Sequence, residues 1–270
     1  MELKILVPAS LVAEKDDARI RTYKIGQVAR AASVFRCDEI VVYDDEPKDE
    51  TVPLILRYAV TPPYLRKEIF DRREELEYVG VVPPLRIPPH SVGSDGNTSE
   101  SHDNDTEYRQ GVVTKVGSDG RVRVNCGLQH PVALRDTNVE EGERVTLRIE
   151  SREPVRAEIT PENEVPLYWG YEVVETSLPE WLDAYDGTVI ATSRRGKEVG
   201  GNTFDAETLA LVFGSPERGV HEILRDYYGY EDASEEFDSV VNTIPNQGTE
   251  TVRTEEAVFA TLSLVNVQRM

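Results

Sequence analysis

The sequence predicts an α/β fold: a parallel-sheet domain interrupted by a small inserted β-barrel of the OB type. Three observations predict it. A strand, a helix and a strand follow one another within about 45 residues of the start, the order of a parallel crossover unit. From residue 108 the pattern changes to short alternating strands separated by turn residues. After Pro161 the alternation of strand and helix resumes, so residues 1–88 and 161–270 form two halves of one body around an insertion at 89–160.

Residues 3–8, Leu-Lys-Ile-Leu-Val-Pro, read as a buried strand. A helix over about 17–36 follows, with an apolar stripe at Ile25, Val28, Ala29, Ala32 and Phe35. Glu39-Ile-Val-Val-Tyr43 is a β-branched second strand, and 51–58 and 64–76 are two helices divided by Pro62-Pro63. Two Pro pairs then bracket 83–89, and 91–107 holds a single apolar residue, Val92, among polar ones, the composition of a linker. Barrel strands are expected at 111–116, 121–125, 130–134 and 143–149, with Asp119-Gly120 as a hairpin turn. In the last third, 168–174, 187–192, 208–214 and 237–243 read as strands. Helices are expected at 178–184, 217–227 and 252–265, the last capped by Thr251 with Glu255 and Glu256 in its first turn.

Composition narrows the function. No stretch approaches the roughly 20 apolar residues of a membrane span, and the start lacks the pattern of a signal peptide, so a cytoplasmic protein is expected. Cys37 and Cys126 show no thiolate-site spacing and the four histidines no ligand spacing, so no metal is expected. The formal charge of −20 argues at first sight against nucleic acid. However, 23 of the 30 basic residues are Arg, and a carboxylate-rich, lysine-poor surface is that of a salt-loving microbe. At about 1 M salt the Debye length is about 3 Å, so local contacts decide. Residues 1–88 carry 14 basic and 16 acidic side chains, 89–160 carry 9 and 13, and 161–270 carry 7 and 21. The excess therefore sits at the C-terminal end, while the first third and the insertion keep their arginines.

Three loops follow strands of the last third, the place where open α/β sheets bind ligands. They are Ala191-Thr-Ser-Arg-Arg-Gly196, Leu211-Val-Phe-Gly-Ser-Pro-Glu-Arg-Gly219 and Val241-Asn-Thr-Ile-Pro-Asn-Gln-Gly248, the last leading into Thr251-Val-Arg-Thr-Glu-Glu256. Their Gly and Pro residues let main-chain groups face a planar ligand. None is a dinucleotide fingerprint or a phosphate loop, so nicotinamide and ATP are not supported.

These stretches, with Arg21-Thr-Tyr-Lys-Ile-Gly-Gln-Val-Ala-Arg30, Tyr64-Leu-Arg-Lys67 and Leu167-Tyr-Trp-Gly-Tyr171, resemble the SPOUT class of RNA methyltransferases. The likeness is to the archaeal and eukaryotic subfamily with an OB-like insertion. It implies a knotted parallel-sheet domain, S-adenosylmethionine as cofactor, structured RNA and above all rRNA as substrate, and a homodimer formed through the knot and the C-terminal helix. By the same resemblance Thr192, Gly214, Glu217 and Gly219 line the cofactor site, faced by Asn242, Thr243, Ile244, Gln247 and Gly248. Arg30, Arg253 and Glu255 are the implied catalytic residues: Arg30 as the first-motif arginine, Arg253 as an acceptor-orienting cation, Glu255 as a proton acceptor. At Lys24-Ile25 the chain departs from the Asn-containing motif of those relatives, which weakens a ribose 2′-O reading.

RNA contacts are expected from Arg21, Lys24, Arg194 and Arg195, and from Arg121 and Arg123 in the barrel, where alternation puts both on one face. The barrel region is poor in aromatics, so grip on the RNA backbone is expected rather than base stacking. Plainer readings stand beside these: a solvated strip for Arg21, Lys24 and Arg30, a first-turn carboxylate for Glu217, a core place for Trp169, and a barrel that only braces a dimer. The rival function is a non-catalytic RNA-binding or ribosome-assembly factor.

Overall fold

The computed structural model describes residues 2–12, 17–46, 50–90, 107–118, 120–135, 138–233 and 235–269. Of the expected linker over 91–107, all but Glu107, which opens a strand, lie outside the described residues, as does Asp119 of the hairpin turn.

The chain divides into two compact units. The larger, built from residues 1–60, 73–85 and 170–270, holds a six-stranded sheet in which every pairing is parallel. Its order is β11-β9-β10-β1-β2-β8, for β1 (Glu2–Pro8), β2 (Glu39–Tyr43), β8 (Glu172–Thr176), β9 (Thr188–Glu198), β10 (Thr208–Val212) and β11 (Ser239–Asn242). Parallel strands need crossovers, which are supplied by α1 (Ala18–Val34), α2 (Thr51–Val60), α4 (Leu178–Ala184) and α5 (Val220–Asp226), with α6 (Thr254–Gln268) closing the chain. The Asp17 carboxylate caps α1 by accepting from the Ile20 N–H at 2.9 Å.

Alternate strand residues face opposite sides, so both faces must be covered. On one side Leu6, Val41, Tyr43, Ala191, Ala210 and Val212 pack with Val220, Ile223 and Leu224 of α5 and Leu178 of α4. The alternate residues Ile5, Val7, Ile40, Val42, Leu209 and Leu211 are equally buried. α1, α2 and α6 pack on one another as the remaining helical layer.

The smaller unit takes residues 61–72 and 86–169. It holds a five-stranded antiparallel sheet ordered β5-β4-β3-β6-β7, made of β3 (Glu107–Val116), β4 (Arg121–Asn125), β5 (Val132–Arg135), β6 (Arg144–Arg152) and β7 (Val155–Ile159). The edge strands β5 and β7 touch, so the sheet curls into a nearly closed barrel around Val113, Val122, Val124, Val132, Leu134, Val145, Leu147 and Ile149.

The structure corrects several expectations. The barrel unit reaches beyond 89–160 to claim 61–72, for physical reasons that involve three side chains. The Tyr64 ring lies against Gly127, where a Cβ would fall 2.6 Å from it, and the Tyr64 hydroxyl donates to the Gln110 carbonyl at 2.9 Å. Arg144 donates to the Thr61 hydroxyl at 2.9 Å. The expected helix over 64–76 is not continuous. Only α3 (Arg66–Ile69) and a 3-10 turn at Glu74–Leu76 form, separated by an extended Phe70. The four or five expected barrel strands are five, the last being β7, and β9 runs on to Glu198, which places Arg194 and Arg195 on a strand rather than in a loop. The last helix is capped at Arg253 rather than at Thr251, because the Arg253 N–H finds the Glu256 carboxylate at 2.9 Å.

Candidate functional site

A cleft of about 690 Å³ opens at the C-terminal ends of β9, β10 and β11, within the larger unit. Its walls are 192–195 on β9, the 213–219 turn after β10 with the first residues of α5, and the 242–252 loop after β11. Of the nine residues expected to contact a cofactor, eight line it: Thr192, Gly214, Glu217, Gly219, Asn242, Thr243, Ile244 and Gln247. Gly248 lies on the same loop but not on the wall. Arg194 and Arg195 line the cleft and are exposed.

The loops are held in shape chiefly by main-chain carbonyls. The Thr192 hydroxyl donates to the Val212 carbonyl at 3.1 Å and ties the ends of β9 and β10 together. The Asn242 amide donates to the Arg194 carbonyl at 3.0 Å, and its oxygen accepts from the Ile244 N–H at 3.0 Å. Gln247 folds back on the Thr249 and Glu250 carbonyls at 2.9 and 3.2 Å. The Thr254 hydroxyl donates to the Gly214 carbonyl at 2.9 Å, which fixes the start of α6 to the β10 turn. Two glycines permit the close approaches. A Cβ on Gly214 would fall 2.6 Å from the Arg218 carbonyl oxygen, and one on Gly196 would fall 2.4 Å from the Val241 carbonyl carbon. Side chains that read as ligand contacts in the sequence therefore spend polar atoms on loop shape.

The 213–219 turn is also anchored from below, by residues the sequence reading did not single out. Asp45, 1% exposed after β2, accepts from the Ser10 N–H at 2.9 Å and from the Ser10 hydroxyl. Arg218 donates to the Asp45 carboxylate at 2.9 Å, to its carbonyl at 3.1 Å and to Glu46 at 3.0 Å. The Tyr43 hydroxyl, whose pKa burial pushes well above its usual value, donates to the Phe213 carbonyl at 2.5 Å. The only trace of this network in the sequence is a charged residue at position 218 between Glu217 and Gly219.

With the cleft described, comparison with known proteins decides the family. The family described as "Putative RNA methyltransferase" matches residues 2–265. The chain belongs to this RNA methyltransferase family. An uncharacterised protein of Haloarcula marismortui is 46% identical over 99% of this chain and 99% of its own length. The human 28S rRNA (uridine-N(3))-methyltransferase is 32% identical over 97% of this chain and 77% of its own length. Among solved structures, the SpoU methyltransferase AviRb of Streptomyces viridochromogenes aligns with 99% of this chain and 58% of its own, at 12% identity and a TM-score of 0.43.

In this RNA methyltransferase family member none of Arg30, Arg253 and Glu255 lines the cleft. Arg253 and Glu255 flank it, since Val252 and Thr254 are wall residues. Glu255 is 7% exposed, and its Oε2 is buried without a hydrogen-bond partner. Burial raises its pKa, against lowering by its own backbone N–H and by the positive charges of Lys24 and Arg253. The structure thus brings Lys24 of α1, expected at RNA, to the field of Glu255 on α6. Arg30 lies elsewhere: its guanidinium donates to the Leu85 carbonyl at 2.6 Å and the Pro84 carbonyl at 3.3 Å. The neighbouring 82–83 segment packs so closely on α1 that a Cβ on Gly26 would fall 2.8 Å from Pro83 Cδ. Arg121 and Arg123 share the outer face of β4, as alternation requires. Trp169, 6% exposed, is a core residue. Among the described residues no group of three His, Cys, Asp or Glu side chains is placed to hold a metal, and no helix is long and apolar enough to cross a membrane.

Proposed function

We propose that this chain transfers a methyl group from S-adenosylmethionine to N3 of a uridine in large-subunit rRNA. The observation that carries the proposal is the cleft at the ends of β9, β10 and β11, in a chain that shares 97% of its length with a human relative named for that reaction. The cleft fits such a cofactor. About 690 Å³ lies within the range of pockets for drug-sized ligands, and the wall combines main-chain edges with the apolar Phe213, Val240, Ile244 and Val252. Gly214 lets the β10 turn close on the Arg218 carbonyl, and Thr192 and Asn242 tie β9 to the Val212 carbonyl and to the β11 loop, so main-chain edges of these loops would hold the cofactor.

When bound, the cofactor supplies a methyl group on a sulfonium and leaves as a neutral thioether. The chain has three tasks: to hold the uracil N3 in line with that methyl, to accept the N3 proton, and to neutralise the charge that develops on the base. Glu255 is assigned the proton, because its desolvated carboxylate has an unpartnered oxygen and a raised pKa. Arg253, between the wall residues Val252 and Thr254, is assigned the developing negative charge on the uracil oxygen. Arg30, the implied first-motif catalytic arginine, acts on the substrate only when its guanidinium leaves the Pro84 and Leu85 carbonyls.

The finer parts of the proposal have separate support. A trefoil knot is supported by the tight passage of 241–254 against Gly196 and Gly214 and by the 2.9 Å bond between the Thr243 and Thr261 hydroxyls. A homodimer through α6 is supported by exposed Ile20, Tyr23 and Val34 on α1 and Val267 on α6. The curled five-stranded sheet supports an OB-like barrel. Residence in a salt-rich cytoplasm is supported by the arginine-over-lysine usage and by the Haloarcula relative.

One observation favours the non-catalytic assembly factor: no catalytic candidate stands on the cleft wall. Calorimetry with S-adenosylhomocysteine at molar salt, coupled to methylation maps of rRNA with and without the protein, separates the two. Cofactor binding together with a new N3-methyluridine is expected. Folded protein that binds no S-adenosylhomocysteine overturns the enzyme reading.

A further inference from the structure

β9 leaves the sheet where it reaches the cleft. Ala191 is the register partner of Val240 on β11, but the next residue of β11, Val241, is paired with Lys197. Residues 192–196 of β9 therefore stand opposite a single peptide link of β11, and the pairing of β9 with β10 also ends at Ala191. One extra residue is enough to bend a strand, and such excursions beside a site re-aim the side chains they carry. This one is pinned along its length. The Thr192 hydroxyl bonds the Val212 carbonyl, the Arg195 N–H donates to the Ser193 hydroxyl at 3.2 Å, and the Asn242 amide holds the Arg194 carbonyl. Gly196 is pressed against the Val241 main chain. The excursion thus delivers Arg194 and Arg195 to the cleft wall on a fixed backbone.

The two arginines are not equivalent. Four arginines line the cleft, and three are engaged within the protein. Arg194 donates to the Glu250 carbonyl at 3.3 Å, Arg218 to Asp45 and Glu46, and Arg225 to both carboxylate oxygens of Asp226 at 2.7 and 3.1 Å. The Arg195 guanidinium is exposed and, among the described residues, has no hydrogen bond or ion pair. It shares the wall with the exposed residues Glu217 and Glu250. A polyphosphate laid along this wall would meet those two anions. A small zwitterion suits it, because a carboxylate can face the guanidinium while an ammonium faces an acidic side chain. S-adenosylmethionine ends in such a group, an α-amino acid with one carboxylate and one ammonium.

We propose that Arg195 binds the carboxylate at the amino-acid end of the cofactor. This inference rests on the proposed methyltransferase function and deepens it, because it sets the direction of the cofactor in the cleft, with the amino-acid end at the 192–196 excursion. It also takes Arg195 out of the RNA contacts expected from the sequence. A guanidinium meets a carboxylate through two parallel N–H···O bonds, which an ammonium cannot reproduce.

The test is isothermal titration of the full chain with two ligands that differ only in the carboxylate, S-adenosylmethionine and decarboxylated S-adenosylmethionine. Arg195→Gln is expected to weaken S-adenosylmethionine about tenfold, the low end for a hydrogen-bonded charge because the side chain is exposed, and to leave the decarboxylated ligand unchanged. Arg195→Lys should recover part of the loss. Lys197→Gln removes the same charge from the same strand away from the wall, and should change neither affinity. Equal weakening of both ligands by Arg195→Gln overturns the carboxylate contact, because it makes the residue a support of the loop. Unchanged affinity for both overturns it as well, and a simultaneous loss of affinity for a fluorescein-labelled oligouridylate would return Arg195 to the RNA. Wild-type protein that binds neither ligand overturns the proposed function instead, which keeps the two failures distinct.

Discussion

Substituting Arg218 by Met removes the one cation that, among the described residues, pairs with buried Asp45, while retaining an aliphatic stem of similar length. Asp45 is left with two donors, the Ser10 N–H and hydroxyl, and loses the Arg218 contact at 2.9 Å. Breaking a fully buried ion pair from one side costs about 3–5 kcal/mol. Arg218 keeps 28% of its side chain exposed and Asp45 retains Ser10, so about 2–3 kcal/mol is expected here. For a chain of this size that corresponds to a fall in Tm of about 4–12 °C. The same bonds hold the 213–219 turn against the end of β2, so a freed turn has to be ordered again on ligand binding. If that ordering costs about 1.4 kcal/mol, the Kd for S-adenosylhomocysteine rises about tenfold. Differential scanning calorimetry and isothermal titration give the two numbers. Adding Asp45→Asn to Arg218→Met removes the stranded charge, so the double variant should be less destabilised than the sum of the singles. An unchanged Tm and Kd for Arg218→Met, or strict additivity with Asp45→Asn, refutes the network as the support of the turn.

Three further substitutions probe the cleft. Glu255→Gln should raise Tm at neutral pH. Its folded pKa is raised, so wild-type stability is fully present below the ordinary glutamate value of about 4.3 and is lost as pH rises through the raised value. The Tm advantage of the variant therefore grows with pH, while methyl transfer falls; no change in either measurement removes Glu255 from the mechanism. Arg253→Ala should preserve S-adenosylhomocysteine affinity and abolish most methyl transfer, by about 10²–10³-fold if it stabilises the developing charge. Loss of binding would reassign it to the cofactor pocket. Gly196→Ala puts a Cβ 2.4 Å from the Val241 carbonyl carbon, which cannot yield as a flexible side chain would. It should cost about 1–3 kcal/mol and displace the β11 loop, seen as a lower Tm and weaker cofactor binding.

Much of the fold was legible because its signals are local. The apolar runs at 3–8, 39–43 and 208–212 are buried on both faces and therefore read as continuous β-branched or aliphatic strands. The end of α1 and the alternation of β4 are likewise set by nearest neighbours. The cleft was legible as three Gly- and Pro-containing loops after strands, and of the nine residues that the family resemblance, rather than the loops themselves, implied, eight stand on its wall.

What the sequence could not show depends on residues far apart in the chain. The 61–72 segment belongs to the barrel unit through bonds of Tyr64 and Thr61 to Gln110 and Arg144, partners 46 and 83 residues away. The Arg218–Asp45 anchor spans 173 residues, and neither residue carries a local pattern that announces the other. Arg30 reads as an outward cation on a helix, yet carbonyls 54 and 55 residues further on take its donors. The 192–196 excursion of β9 exists only once the register of β9 and β11 is set, because alternation assigns a face but not a cross-strand neighbour. Local propensity and hydrophobic pattern thus determined the elements and the class of site. Buried long-range hydrogen bonds and strand register, which no window of sequence contains, decided which charged side chains brace the cleft.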